Sequence, residues 1–228
     1  MGETSVTAAS QSGQQDGRLT RAARTRAAVV EALLTLNEQG NLRPTARDIA
    51  AEAGVSLRSL YVHFDDLEAL FVAASARHAE RMAAKLPPPV NEGPLEVRLA
   101  AFLERRVILH EEGAGVRRAA LLQEPFSPTL RQAIGNGRKI MRADVGNAFA
   151  PEIDAAAEGE GPRLWRALEI ATSAAAWETL RLHQGLSVEE ATDQVRDMIL
   201  AFLDTWRPSG AAPARKASTR PTAAGPQD

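Results

Sequence analysis

The stretch from Pro44 to Phe64, PTARDIAAEAGVSLRSLYVHF, constrains the fold more than any other part of the chain. Thr45 is a hydroxyl N-cap, the run behind it sets Ile49, Ala50 and Ala53 on one side, and Gly54 stands where a helix leaves through a left-handed residue. That ends a first short helix. Val55 plugs the corner, Ser56 caps a second helix, and Leu60 with Phe64 at i and i+4 form its buried stripe, leaving Leu57, Arg58 and Ser59 facing out. Small Ala50 lets the two helices cross closely. Two short helices around one tight turn are the sequence form of a helix-turn-helix, whose second helix carries its N-terminal residues to base edges in the DNA major groove.

The remainder also reads as helical. No segment alternates apolar and polar residues long enough for a sheet, and aromatic residues make up only 4% of the chain, so an all-α fold is expected. With 228 residues, 44% of them hydrophobic, there is enough apolar material to bury the core of one large or two small domains. The absence of cysteine excludes disulfides and thiolate metal sites, and the opening MGETSVTAASQSGQQDG lacks the apolar centre of a signal peptide. No apolar run approaches the roughly 20 residues of a membrane span. A cytoplasmic protein without a membrane partner is the expectation.

A net charge of −2 argues against a uniformly basic coat, but the charge is unevenly placed. Between Arg18 and His63 seven arginines face four carboxylates, a local +3, so the rest of the chain carries −5. A positive N-terminal module on an acidic body suits a DNA contact confined to one end.

Taken in order, residues 1–17 are expected to form a disordered tail, 18–66 the helix-turn-helix domain, 67–206 a helical regulatory and dimerisation domain, and 207–228 a second disordered tail. Thr20 is expected to open a helix carrying Val29, Val30, Leu33 and Leu34, whose early Arg21 and Arg24 oppose the helix dipole and suit phosphates. Asp65 or Asp66 caps a longer helix from Leu67 to about Leu86, with Asp65 and Glu68 at capping-box spacing and Pro87 to Pro89 stopping it. Leu95, Leu99, Phe102 and Leu109 mark a further helix. Another runs from about Thr129 to Phe149, weakened by Gly135, Gly137 and Gly146 and expected to kink or break near Asn136; Pro151 to Gly161 reads as a loop.

Two helices close the chain. Leu168, Ala171 and Ala175 lie on one face of the first; Val188, Val195, Met198 and Phe202 follow 3-4 spacing on the second, which Ser187 and Glu190 open as a capping box. Pairs of such helices from two chains make a four-helix dimer interface, and packing within one subunit satisfies the same pattern. Polar or aromatic residues on apolar stripes, His78, Phe102, Arg106, His110, Trp165 and Trp177, are candidates for lining a ligand pocket, although ordinary core packing accounts for each equally well.

The stretch TRAAVVEALLTLNEQGNLRPTARDIAAEAGVSLRSLYVHFDDLEALF resembles the DNA-binding domain of the TetR family of bacterial transcriptional regulators. Arg47-Asp48-Ile49-Ala50, Ala53-Gly54-Val55-Ser56, and Leu60-Tyr61 followed by His63-Phe64 carry the resemblance in one register. It implies a homodimer on a palindromic double-stranded operator, a small-molecule effector bound in the C-terminal body and transmitted by the helix from Leu67, no cofactor, and no catalysis. It implies that Tyr61 and His63 hold phosphate, as Thr45 and Arg47 are placed to do, while Ser56, Leu57, Arg58 and Ser59 face the groove; Arg58 suits a bidentate contact to guanine. Where the family commonly carries lysine, this chain has Leu67, so one phosphate anchor is missing, for which Arg21 and Arg24 are substitutes. Two other classes compete: a dimeric scaffold that does not bind DNA, and a helical enzyme. Scattered histidines without a metal-ligand or nucleophile motif argue against the enzyme.

Overall fold

The computed structural model describes residues 5–207, with side chains from 19 onward. Among the described residues there are eleven α-helices and no strand. In chain order they are α1 (Ser5–Glu38), α2 (Ala46–Glu52), α3 (Leu57–His63), α4 (Leu67–Lys85), α5 (Leu95–Glu111), α6 (Ala114–Gln123), α7 (Pro128–Ala148), α8 (Ala150–Asp154), α9 (Gly161–Ala171), α10 (Ala174–Glu178) and α11 (Val188–Thr205). A 3-10 turn, Glu124–Phe126, precedes α7, and a π-turn, Thr179–His183, follows α10. None of these helices is long and apolar enough to cross a membrane.

The chain folds into two compact units, residues 1–86 with 111–139, and 87–110 with 140–228. The first gathers Val29, Leu33 and Leu34 of α1, Ile49 and Ala50 of α2, Leu60 of α3, and Leu70, Phe71 and Ala74 of α4 around one core, closed by Val116 of α6. A division at residues 66 and 67 is therefore not where the packing divides. The apolar side of α4 is needed to cover α1, because two seven-residue helices offer too little surface to do so. Charge reinforces the same pairing: Glu31 of α1 accepts from Arg77 of α4 at 2.9 Å and also from Arg81. Asp66, not Asp65, caps α4 by accepting from the Ala69 amide at 2.8 Å, and Glu68 instead accepts from the Ser127 hydroxyl at 2.6 Å.

At its start α1 departs from expectation. It begins at Ser5, not Thr20, and no proline interrupts the segment. Residues 1–4 and 208–228, which include most of the two expected tails, lie outside the described residues.

The second unit packs Leu99, Phe102 and Leu103 of α5, Val145 and Ala148 of α7, Leu164 and Leu168 of α9, and Ala191, Val195, Ile199 and Leu203 of α11 in one core. Phe102 and Phe149 meet edge to face, 5.1 Å between centroids. The buried line of α5 also contains Arg98, Arg106 and His110, whereas Leu109 is only half-buried. Arg98 donates to Glu152 at 3.0 Å, to the Gly93 carbonyl at 3.0 Å and to the Ala148 carbonyl, which is why a guanidinium is tolerated there.

Three local features differ from the sequence expectations. Helix α7 is unbroken through Asn136, because Gly135 and Gly137 take no positive φ and the cost of about 1 kcal/mol each is offset by burial of Leu130 and Val145 on either side. The segment after Ala148 is not all loop but includes α8. The helix expected to carry Leu168, Ala171 and Ala175 breaks at Thr172 and Ser173. The Thr172 hydroxyl donates to the Leu168 carbonyl at 2.8 Å, and extended Ser173 caps α10 by accepting from the Ala176 amide at 3.2 Å, local bonds that compete with the helical ladder.

Candidate functional site

The geometry of α2 and α3 follows from their caps. Thr45 and Asp48 form a reciprocal capping box, in which the Thr45 amide and hydroxyl both donate to the Asp48 carboxylate at 2.8 Å and the Thr45 oxygen accepts from the Asp48 amide at 3.2 Å. The backbone bond first and the hydroxyl second hold the Asp48 carboxyl below its usual range. At the other end Gly54, at φ 65°, closes a Schellman turn: its amide donates to the Ala51 carbonyl at 3.1 Å and that of Val55 to Ala50 at 2.9 Å. Ser56 then caps α3 by accepting from the Ser59 amide at 3.0 Å.

These constraints set the rotation of α3. Leu60 and Phe64 are buried, so at about 100° per residue the direction opposite them belongs to Val62 and Arg58. Val62 is 72% exposed and Arg58 is exposed, while Leu57 and Tyr61 are half-exposed and Ser59 and His63 intermediate. The outward face is thus centred on Arg58 and Val62. Val62 escaped sequence reasoning because a valine inside a helical apolar run reads as core; its i+4 spacing from Arg58 was the available signal. Arg47, Arg21 and Arg24 are also exposed, and Arg26 lies over the Phe64 ring, 4.8 Å from its centroid. Thr45 and Ser56 sit on the same motif as caps.

The candidate pocket residues do not come together as one group. His78 belongs to the first unit, on α4. Burial, with Arg81, Arg117 and Lys85 adding to it, lowers its pKa, and its Nδ1 is buried without a partner. In the second unit Arg106 lies over the Phe102 ring, 4.6 Å from its centroid, and donates to the Met141 carbonyl at 2.9 Å. His110 stacks obliquely on Trp177 at 5.7 Å and donates through Nε2 to the Thr172 carbonyl at 3.1 Å. Trp165 stands apart, under Arg142 and against Gly146, its indole donating to the Arg142 carbonyl at 3.2 Å. Arg106, His110 and Trp177 share the wall of a cavity of ≈ 10 Å³ with Thr172, Ser173 and Val195, space for about one water molecule.

A larger cleft, ≈ 400 Å³, lies in the first unit between Arg43, Leu67, Phe71, Leu122, Phe126 and Leu130. Nothing in the sequence pattern marked it, since its walls come from three separate segments. Among the candidate interface residues, Leu168, Ala171 and Val195 are buried in the core of the second unit and are not available to a partner chain, while Val188, Met198 and Phe202 are half-buried beside it and Ala175 is exposed. The reason is the register of α11, whose inward line is Ala191, Val195, Ile199 and Leu203.

A helix-turn-helix braced on a third helix, with an arginine and a valine projecting from its second element, is the DNA-reading module of a transcriptional regulator. Residues 28–74 match the family model described as bacterial regulatory proteins, tetR family. That stretch is the part of the chain that carries the tetR-family DNA-binding pattern. Solved structures share its fold. A transcriptional regulator from Rhodococcus sp. Rha1 is 18% identical with a TM-score of 0.63, over 79% of this chain and 96% of that one. A TetR-family regulator from Mesorhizobium loti is 18% identical at TM-score 0.62, over 82% and 99%. A regulator from Saccharomonospora viridis, solved in complex with choline, is 17% identical at TM-score 0.58, over 78% and 96%. No curated protein matches the chain.

Proposed function

We propose that this regulator is a cytoplasmic repressor that binds a palindromic operator as a homodimer and releases it when a small molecule occupies the second unit. The observation that carries the reading is the outward face of α3, on which Arg58 and Val62 stand clear of the core that Leu60 and Phe64 anchor. Arg58 reads guanine through a bidentate contact, and Val62, with Leu57, packs on thymine methyl groups. Arg47, Tyr61, His63, Arg21 and Arg24 hold phosphates and fix the register. Ser56, Thr45 and Ser59 serve first as caps or cap partners of the reading helices, and add contacts to the backbone of the DNA.

The dimer uses the surface of α9 to α11 that its own core leaves uncovered: Ile170, 70% exposed, with Ala175, Val188, Met198 and Phe202. An effector is supported by the choline complex of the related fold, and linkage requires that such a ligand favour the arrangement that fits the operator poorly.

Selection of bound fragments from genomic DNA, followed by titration in salt, tests the reading. An enriched palindrome with steep salt dependence is the expected result. Recovery of no motif, or a monomer by light scattering at micromolar concentration, refutes it.

A further inference from the structure

Arg106 makes an unusual wall for the small cavity of the second unit. Its side chain is 4% exposed and that of its neighbour Arg105 is 14% exposed. One carboxylate, Asp144, serves both, at 3.4 Å from Arg106 and 3.6 Å from Arg105. Two guanidiniums against one carboxylate leave an excess positive charge inside the unit. The Nε groups of both arginines are buried without an acceptor. A buried N–H donor with no partner carries the full cost of its desolvation, and a buried charge is tolerated only with compensation.

The cavity that Arg106 borders is otherwise lined by Leu103, Val107, Trp177 and Val195, with the Thr172–Ser173 helix break at one side. A helix break and a π-turn flank Trp177, so this wall is the part of the unit whose backbone is least committed to a regular ladder. The aromatic rings at this end are already covered, Phe102 by the Arg106 guanidinium and Trp177 by the His110 ring.

We propose that the Arg106 end of this cavity receives a carboxylate, and that the effector of this regulator is an organic monoanion with an apolar body. The proposal rests on the reading of the second unit as the ligand-responsive part of a regulator. The carboxylate accepts from the unpartnered Nε–H of Arg106 and neutralises the charge that Asp144 leaves over, while the apolar body displaces the Trp177 side of the wall. A quaternary ammonium ligand like that of the Saccharomonospora viridis regulator is excluded here by the positive excess of Arg105 and Arg106.

The test is calorimetric titration of the full chain in a chloride-free zwitterionic buffer with butyrate, benzoate and octanoate, and with choline as the cationic probe. The expected result is binding of at least one carboxylate and none of choline, lost in Arg106→Met and partly kept in Arg106→Lys. Asp144→Asn is the decisive variant. Removing the competing carboxylate tightens anion binding by about tenfold, whereas a purely structural aspartate gives unchanged or weaker binding. Should Arg106→Met fail to fold, Asp144→Asn decides alone. Binding of no carboxylate, equal binding of choline, or no gain in Asp144→Asn overturns the proposal. Operator retention is measured on the same samples. Operator binding without any anion response overturns the anion site and leaves the regulator reading standing; anion binding that leaves operator affinity unchanged supports the site and overturns ligand-controlled release.

Discussion

Replacing Gly115 with alanine sets two effects of opposite sign against each other. Within a helix the change favours the folded state by up to about 1 kcal/mol, because alanine loses less backbone entropy than glycine, and in the first turn of α6, where Gly115 stands, that is an upper bound. At Gly115, however, a Cβ meets the backbone of α1. It falls 3.0 Å from the Asn37 carbonyl carbon, 3.1 Å from the Glu38 Cα, and closer still to the Asn37 carbonyl oxygen. Backbone atoms cannot rotate aside as a side chain does, so α6 must retreat from α1 by about 1 Å to restore contact distance. A gap of that size forfeits a quarter to a half of the dispersion energy that Val116 and Ala119, both buried, make on this side of the unit. Overpacking of this kind costs about 1–3 kcal/mol. Because the atoms met are backbone, the cost falls in the upper part of that range, about 2–3 kcal/mol, and after the gain of up to about 1 kcal/mol the net effect is a loss of about 1–2 kcal/mol, a fall of roughly 2–8 °C in Tm for a chain of this size. Gly137→Ala is the matched control. It lies in α7 with open space around it and no positive φ, so only the entropic gain remains, and Tm rises by a few degrees. Thermal and urea unfolding followed by circular dichroism read both. A Gly115→Ala protein as stable as the parent, or two variants that shift in the same direction, refutes the close crossing of α1 and α6.

Other expectations follow from named contacts. His78 has a lowered pKa in the folded state, so the unfolded chain binds the extra proton first and stability falls as pH drops below the unfolded value of 6.5; His78→Gln should flatten the stability profile between pH 7 and 5, and an unchanged profile counts against it. Glu152→Gln neutralises the carboxylate that pairs with buried Arg98 and should cost about 2 kcal/mol in denaturant unfolding, while Glu158→Gln, on an exposed turn, should cost almost nothing. At the operator, Arg58→Ala should relax base preference at one position per half-site, and Val62→Ala should weaken thymine selection, whereas Arg47→Ala should weaken all sequences alike and reduce the salt slope by about one; fragment selection and salt titration separate these outcomes.

Much of the DNA-binding module was legible in the sequence because its determinants are local. Thr45 with Asp48, Gly54, Ser56, and Leu60 with Phe64 each act within four residues, so spacing alone places caps, turn and buried stripe. The same holds for Ser187 and Glu190, which open α11 through a second capping box. Local reasoning failed where two segments distant in sequence compete for one surface. Spacing left Leu168, Ala171 and Val195 equally suited to a partner or to their own subunit, and all three are buried within the second unit. It did not single out Val62, which the core at Leu60 and Phe64 rotates outward.

The sequence by itself determined that this chain is helical, where the helix-turn-helix begins and ends, and which residues cap it, since those depend on backbone groups a turn away. Tertiary structure alone decided three things. It joined α4 and α6 to the DNA-binding unit, because α1 needs a long apolar partner. It selected Arg58 and Val62 as the outward pair of α3. It also set Arg105 and Arg106 against a single Asp144, a charge imbalance that no spacing reveals, because its members come from α5 and α7 and meet only when the second unit packs.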